Sequence, residues 1–204
     1  MRSRRLAILL SGLAPHPCNF VELEQYTIDG NLAARWLSDI AAFGDLSEGC
    51  TVADLGAGNG ILGLGTLAMG AGRAILVEAD QAACGIAKSN AESMGFADSA
   101  EVIQATLGSD PIDLDSADVI ISNPPWGRQT PRADRPFLEA ILSTGLPTHL
   151  LHSAEATHIR PLFEDAGWLV ERYGEADFAL PAAYSHHSRK RGRTRAAFWR
   201  LTPS

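Results

Sequence analysis

The sequence predicts an α/β fold of the Rossmann-like type, with about seven mostly parallel strands, helices on both faces and a C-terminal antiparallel hairpin. Stretches with strand-like and helix-like hydrophobic patterns alternate along most of the chain. A glycine-rich segment, residues 54–60, joins a short apolar stretch to a helix candidate. Near the end, two β-rich stretches follow the last predicted helix with no helix between them, which indicates the hairpin.

The individual elements follow from apolar spacing and from capping residues. Apolar residues recur at helical spacing over residues 30–43, Asp80 is placed to cap a second helix, and Pro136 is tolerated in the first turn of a later one. No internal repeat or low-complexity linker interrupts the chain, so residues 1–204 are expected to form one domain. The strand candidates are Thr51–Leu55, Ala74–Val77, Ala100–Ala105, Ala117–Ser122, Thr148–Leu151, Trp168–Val170 and Ala196–Leu201, and the helix candidates are 30–43, Gly60–Ala71, Asp80–Gly95 and Asp134–Leu142.

Composition excludes several classes of protein. With 204 residues and 46% hydrophobic content, the chain can bury a substantial core. Three widely spaced cysteines fit neither a disulfide framework nor a paired-thiolate zinc site. The basic, apolar start over residues 1–10 is short for a signal peptide, and no apolar run reaches the roughly 20 residues that cross a bilayer. These features predict a soluble cytoplasmic protein.

The basic residues are concentrated near the two ends of the chain. The formal net charge is -7, but residues 2–5 and 189–195 supply eight of the 17 basic residues. The rest of the chain therefore has nine basic residues against 24 acidic ones. A nucleic acid would have to be bound at a local basic patch rather than over the whole surface.

The segment that starts at Asp54 is a candidate cofactor loop. Gly56, Gly58 and Gly60 let the backbone turn sharply and leave no side chain between the main chain and a ligand. Dinucleotide enzymes use a related loop, and tight turns use glycine for structural reasons alone. The Gly-x-Gly-x-Gly spacing, however, differs from a pyrophosphate-binding loop, and the Asp54 carboxylate suits a cationic methionine moiety. Glu78, which ends the next strand, is placed to accept hydrogen bonds from both hydroxyls of a ribose.

The segment Asn123-Pro124-Pro125-Trp126 carries the most chemical information. The amino nitrogen of adenine is a poor nucleophile because its lone pair is delocalised into the ring. The Asn123 side-chain carbonyl and the Pro124 main-chain carbonyl can each accept one amino hydrogen, which favours a pyramidal, reactive nitrogen. The two prolines fix backbone torsions in advance, and Trp126 offers a face on which an extruded base could stack. The alternative is a proline-rich turn with a buried tryptophan.

With these motifs, the chain resembles the archaeal and eukaryotic small-subunit ribosomal RNA adenine-N6 methyltransferases of the class I fold. Leu23-Glu24-Gln25-Tyr26-Thr27 is similar to the N-terminal signature of that family, without its proline, and Ala33-Ala34-Arg35 follows as it does there. Leu180-Pro181-Ala182-Ala183-Tyr184 and His187 are similar to its C-terminal segment. Trp126 stands where phenylalanine is common.

The resemblance implies S-adenosyl-L-methionine as cofactor and RNA as substrate. It implies that Gln25, Tyr26 and Thr27, in an N-terminal segment over residues 1–28, close over the cofactor, and that Glu78 holds its ribose. Eukaryotic members work with a small zinc-binding activator protein that adds to the sheet edge, here expected near Ala100–Ala105.

The basic run near the C-terminus is a candidate RNA contact. His187, Arg189, Lys190 and Arg191 are compatible with a loop that grips phosphates beside the active site, although a solvated charge run has the same composition. Adjacent histidines at 186–187 would be poor joint ligands for one metal. We read the other histidines, His149, His152 and His158, as structural and expect no metal.

Three other functions use some of the same features. A DNA adenine methyltransferase and a protein-glutamine methyltransferase share the Asn-Pro-Pro pocket, but they carry a target-recognition domain and a helical N-terminal domain, respectively, for which this chain has no room. A noncatalytic RNA-binding module could retain a cofactor fold, although the intact Asp54, Gly56, Gly58, Glu78 and Asn123 argue against it.

Overall fold

A seven-stranded sheet with six helices around it forms the part of the chain that the computed structural model describes, residues 3–16, 28–127, 130–179 and 193–204. The helices are α1 (Ser3–Ser11), α2 (Gly30–Ala42), α3 (Ile61–Met69), α4 (Gln81–Ser93), α5 (Arg135–Thr144) and α6 (Ile159–Asp165). The strands are β1 (Thr51–Leu55), β2 (Arg73–Glu78), β3 (Ala100–Gln104), β4 (Val119–Ser122), β5 (Thr148–Ser153), β6 (Leu169–Ala179) and β7 (Arg193–Thr202).

The strands are arranged in the order β3-β2-β1-β4-β5-β7-β6. The first five in this order pair in parallel, and β7 lies antiparallel between β5 and β6. The C-terminal pair is therefore the predicted hairpin, and the predicted fold class is confirmed. Strand β3 lies at one edge of the sheet, as expected.

Helices cover both faces of the sheet, because successive side chains of a strand point to opposite sides. Val52 on β1 packs into the same core cluster as Trp36 and Leu37 of α2. Its neighbour Ala53 packs instead with Leu138 of α5. All five side chains are buried. Because both faces of the central strands are covered in this way, the sequences of these strands are almost entirely apolar.

Helix α1 was not predicted, because its apolar residues were read as a leader-like run. In the structure Leu6, Ala7 and Leu10 are buried on one face of this nine-residue helix. The helix crosses α2 so closely at Gly30 that a Cβ there would overlap Ser11. The glycine therefore permits the contact that seats α1.

None of the helices among the described residues is long and apolar enough to cross a membrane.

Candidate active site

The candidate site lies at the carboxyl end of β1 and β4, where the strand order changes direction. From β1 the chain continues to β2 on one side, whereas β4 lies on the other side. Ligands of open α/β sheets bind at such a switch point. The Ser122 hydroxyl donates to the Leu55 carbonyl at 2.8 Å, which ties the two strand ends together. The glycine loop after β1 and the Asn123 segment after β4 therefore start side by side.

A cavity of about 410 Å³ opens at this edge of the sheet. Both sequence motifs contribute to it, since its lining includes Gly56 and Gly58 from the loop after β1 and Asn123 and Pro125 from the loop after β4. Glu78, at the end of β2, lies on the same wall. The structure thus brings together residues that are up to 69 positions apart in the sequence.

Two glycines of the loop are required by its backbone and by its neighbours. Gly56 has a φ of +76°, and a Cβ there would lie 2.8 Å from the Phe137 ring. Gly58 has a φ of +56°, which also disfavours any larger residue. Gly60, by contrast, begins α3 with a φ of +84° and faces Leu76 in the core. Of the three, only Gly56 and Gly58 line the cavity.

The Glu78 carboxylate holds the glycine loop in place. One oxygen accepts the Gly58 N–H at 2.8 Å, and the other accepts the Asp80 N–H at 2.9 Å. A carboxylate has about four acceptor positions, so each oxygen keeps capacity for a further donor. Asp80 itself caps α4 by accepting from Ala82 and Ala83, as predicted.

Asp54 lies beneath the loop rather than in the cavity wall. Its side chain is only 1% exposed, and one carboxylate oxygen accepts the Gly63 N–H of α3 at 2.8 Å. The other oxygen is buried and has no hydrogen-bond partner among the residues that the structure describes. Burial raises the pKa of Asp54 from its ordinary value of 3.8 to about 7, with the nearby Glu78 charge adding to the rise and the Gly63 bond opposing it.

This buried carboxyl should make the stability of the protein depend on pH. The folded protein keeps the Asp54 proton up to about pH 7, whereas the unfolded chain loses it near 3.8, so stability falls as pH rises between these values. Asp54→Asn removes the titrating group. Between pH 5 and pH 8 the wild type should lose about 2.5 kcal/mol more unfolding free energy than this variant. Urea unfolding at both pH values measures the difference, and parallel pH curves would contradict it.

A hydrogen-bonded clamp that the sequence did not reveal joins the end of the α1 segment to the loop. Asn90 on α4 accepts the Ala14 N–H at 2.9 Å and donates to the Ala14 carbonyl at 3.1 Å and to the Asn59 carbonyl at 2.9 Å. Asn59 also donates to the Ala14 carbonyl. His16, two residues further on, lines the cavity. Only the polar residue on the buried face of a predicted helix, Asn90, could have signalled this arrangement.

The four residues of the Asn-Pro-Pro-Trp motif occupy different environments. Asn123 and Pro125 line the cavity, whereas Pro124 is buried. Trp126 is 6% exposed and packs against Phe178, with ring centroids 4.8 Å apart. Its indole N–H donates a long hydrogen bond, 3.4 Å, to Oδ1 of Asn123. Stacking of a base on Trp126 stays a prediction, and it would need the indole to uncover a face.

Comparison with known proteins identifies the family to which the chain belongs. The family model described as "Methyltransferase small domain" matches residues 40–146, which include both the glycine loop and the Asn-Pro-Pro-Trp segment. The chain belongs to this methyltransferase family.

Three proteins are similar to this chain over nearly its full length. An uncharacterized protein of Methanocaldococcus jannaschii is 35% identical over 93% of the methyltransferase chain and 89% of its own. The rRNA N(6)-adenosine-methyltransferase METTL5 of Danio rerio is 30% identical over 89% of both chains. The crystal structure of a candidate RNA methyltransferase from Pyrococcus horikoshii has a TM-score of 0.87 and 31% identity, and it covers 100% of this chain and 98% of its own. The family resemblance drawn from the sequence is thereby confirmed.

Two predicted groups of the methyltransferase lie outside the described residues. They are the cofactor-covering residues Gln25, Tyr26 and Thr27 and the RNA-contacting residues His187, Arg189, Lys190 and Arg191. Their roles stay predictions.

The histidines read as structural in the methyltransferase include one pair grouped around an acid. Potential ligand atoms of Asp134, His152 and His158 all lie within 4.8 Å of one another. Asp134 was expected at the start of a helix, and it does precede α5, but its side chain makes no capping hydrogen bond.

Proposed function

We propose that this methyltransferase transfers a methyl group from S-adenosyl-L-methionine to the N6 amino group of an adenine in RNA, with small-subunit ribosomal RNA as the substrate. The observation that carries the proposal is that Asn123 lines the same cavity as the glycine loop and Glu78. The proposed acceptor for the amine and the proposed binding residues for the cofactor thus line one cavity. The 30% identity to METTL5 supports the rRNA adenosine substrate.

The cavity fits the cofactor that a methyltransferase of this fold is expected to use. S-adenosylmethionine supplies a methyl group bonded to a positively charged sulfur. The Glu78 carboxylate would accept hydrogen bonds from the ribose hydroxyls, because two of its acceptor positions are not used by Gly58 and Asp80. Gly56 and Gly58 leave the main chain uncovered, and any side chain at Gly56 would meet Phe137. Asp54 would act through Gly63 by holding the start of α3.

Asn123 would prepare the amine for transfer. Its Oδ1 accepts one amino hydrogen and the Pro124 carbonyl accepts the other, so that the nitrogen lone pair turns out of the ring plane. Pro124 and Pro125 hold these acceptors in place before the base arrives. The methylated nitrogen then loses one proton, which water can accept. A strong general base is therefore not required.

The basic run over 189–191 would hold the RNA backbone. Replacing Arg189, Lys190 and Arg191 together with glutamine should weaken RNA binding and reduce the slope of log affinity against log salt by about 2–3, because phosphate contacts release counterions. Fluorescence anisotropy at several salt concentrations measures the slope. A control that removes three charges elsewhere, at Arg73, Lys88 and Arg160, should change the slope less. Equal slopes for both triple variants would indicate that residues 189–191 are a solvated charge run that does not bind RNA.

An activator subunit would pair with β3. The supporting observation is that β3 is a five-residue strand at the edge of the sheet, where one side of its backbone has no neighbouring strand among the described residues. Co-purification of the chain with the family's zinc-binding activator checks this proposal. A complex whose formation leaves β3 amides as exchangeable as before would contradict it.

Incubation with labelled cofactor tests the substrate directly. Ribosomal RNA, transfer RNA, DNA and a protein extract are offered separately, and the products are digested to nucleosides or amino acids. Label in N6-methyladenosine from ribosomal RNA supports the proposal. Label in DNA or in glutamine would identify one of the two other enzymes that use this pocket. Cofactor binding without transfer to any pool would indicate a noncatalytic RNA-binding module.

A further inference from the structure

Asp134, His152 and His158 form a hydrogen-bonded cluster beside the Asn-Pro-Pro-Trp loop. One oxygen of Asp134, Oδ2, lies 3.1 Å from Nε2 of His152 and 2.6 Å from Nε2 of His158. Asp134 and His152 are buried, whereas the side chain of His158 is half exposed. Asp134 stands at the N-cap of α5 but makes no capping bond, which would ordinarily stabilise the helix by about 1 kcal/mol. Its carboxylate forms hydrogen bonds with the two histidines instead.

The backbone fixes which nitrogen of His152 carries the proton. The Ser153 N–H donates to Nδ1 of His152 at 2.9 Å, so Nδ1 must offer its lone pair. In a neutral ring the proton is then on Nε2, which donates to Asp134. A metal would need that same Nε2 as a lone-pair ligand, and metal-bound histidines donate from their other nitrogen. The cluster is therefore arranged for hydrogen bonding rather than for a metal.

Asp134 remains an anion in this cluster. Burial alone would raise its pKa, but hydrogen bonds and electrostatic attraction from His152 and His158 together outweigh burial and hold the pKa of Asp134 below its ordinary value of 3.8. Hydrogen bonds to a charged acceptor are about twice as strong as neutral ones. The anion thus orients both imidazole rings.

The oriented His152 ring supports Trp126. The two rings are stacked, with centroids 6.2 Å apart and planes inclined by 26°. Phe178 also packs against the indole, at 4.8 Å and 48°. Held in this way, Trp126 directs its Nε1–H at Oδ1 of Asn123, three residues earlier in the same loop.

We propose that Asp134, His152 and His158 are positioning residues that seat Trp126 so that its indole N–H fixes the Asn123 amide with Oδ1 available to the reacting amine. An amide can turn over and present NH₂ in place of oxygen, and NH₂ cannot accept a hydrogen from an amine. An indole N–H bonds only to the oxygen, and it uses one of the two lone pairs of Oδ1. This inference rests on the proposed function, and it assigns Trp126 a role other than base stacking.

The same strand provides a matched control for a test. His149 and His152 both lie on β5, are 0% and 1% exposed, and bond through Nε2 to an aspartate, at 2.8 Å to Asp45 and 3.1 Å to Asp134. His152 packs against Trp126 in the loop with Asn123, whereas His149 packs against Phe43 and Tyr173. His149→Leu and His152→Leu should therefore cost similar stability, while their effects on catalysis should differ.

The kinetic test compares the two variants on ribosomal RNA. His152→Leu should lower kcat about 5- to 10-fold, the loss expected for one hydrogen bond, and should change the cofactor KM by less than about twofold. Trp126→Phe, which keeps an aromatic ring but has no N–H, should give a similar loss. His152→Gln, which can still donate to Asp134, should recover part of it. His149→Leu should retain the wild-type kcat. Equal kcat losses in His149→Leu and His152→Leu would overturn the inference.

Indole N–H exchange gives a readout that does not depend on the substrate. The Trp126 signal in a ¹⁵N–¹H spectrum is assigned by its loss in Trp126→Phe. His152→Leu should accelerate exchange of this proton about 10-fold, whereas His149→Leu should affect Trp36, whose indole bonds to the Tyr173 hydroxyl next to His149. If the protein methylates no adenine but this crossed pattern holds, the proposed function fails and the positioning role stands. A Trp126 signal unchanged in His152→Leu would overturn the positioning role even in an active adenine methyltransferase.

Discussion

Asn123→Ala should reduce methyl transfer at least about 100-fold, the loss typical for one polar group that acts on a transition state. The variant removes the side-chain oxygen that is proposed to accept an amino hydrogen, and it leaves the glycine loop and Glu78 unchanged. Affinity for S-adenosylmethionine should therefore change by less than about twofold, because the proposed cofactor contacts are at the glycine loop and Glu78. Single-turnover kinetics with labelled cofactor and calorimetric titration of the cofactor measure the two quantities separately.

An exposed asparagine serves as the control for this experiment. Asn31 lies in the first turn of α2 and is exposed, so Asn31→Ala should leave both transfer and binding unchanged. Turnover of Asn123→Ala that is comparable to the wild type would refute the proposed role of this side chain. A large loss of cofactor affinity in Asn123→Ala would instead indicate that the residue supports the cofactor and does not act on the amine.

Glu78→Gln is expected to produce the opposite pattern. The carboxylate accepts an N–H at each of its oxygens, from Gly58 and from Asp80. An amide of the same shape must turn its NH₂ toward one of these donors, so it loses a charge-assisted hydrogen bond worth about 1.5–3 kcal/mol. The same amide would also lose a charge-assisted hydrogen bond to the ribose hydroxyls that Glu78 is proposed to bind, so the dissociation constant of the cofactor should rise about 10- to 100-fold, with tenfold for each 1.4 kcal/mol. At saturating cofactor, kcat should fall only a few-fold.

Glu101→Gln supplies the comparison for that variant. Glu101 lies on the neighbouring strand β3 and makes an ion pair with Arg73 in which both side chains are nearly half exposed. Its replacement removes the same charge without touching the cavity, so cofactor affinity should be retained. Unaltered cofactor affinity in Glu78→Gln would mean that the carboxylate holds the glycine loop and does not bind the cofactor.

The central part of the fold could be predicted because its signals are local. Thr51–Leu55 was predicted with its observed bounds, since a short apolar run before a glycine loop has few other structures available. Asp80 was predicted as a cap and is one. β6 and β7 are longer than predicted, because they carry charged residues such as Glu171 and Arg195 that a search for apolar runs rejects. These residues pair across the hairpin or with its neighbours, as Arg200 does with Glu171.

The sequence motifs of the candidate site could be predicted, but the side chains that pack against these motifs could not. Asn123 and Glu78 were identified from chemistry and position, and the structure places both on the cavity. Trp126 shows the limit of this reasoning. Its aromatic ring suggested a stacking surface, whereas packing against His152 and Phe178 leaves it 6% exposed. Which face of a side chain is covered depends on contacts distant in sequence, and no local pattern records them.

The clamp at Ala14 makes the first helix a partner in ligand affinity. Asn90 and Asn59 both donate to the Ala14 carbonyl just beyond α1, and Asn59 belongs to the glycine loop and lines the cavity. By thermodynamic linkage, anything that steadies this loop also resists the release of the amino-terminal helix, and detachment of that helix must loosen the hold on the ligand by an equal free energy. Affinity for a ligand in the cavity would thus depend in part on helix α1, although the residues that line the cavity come from other segments.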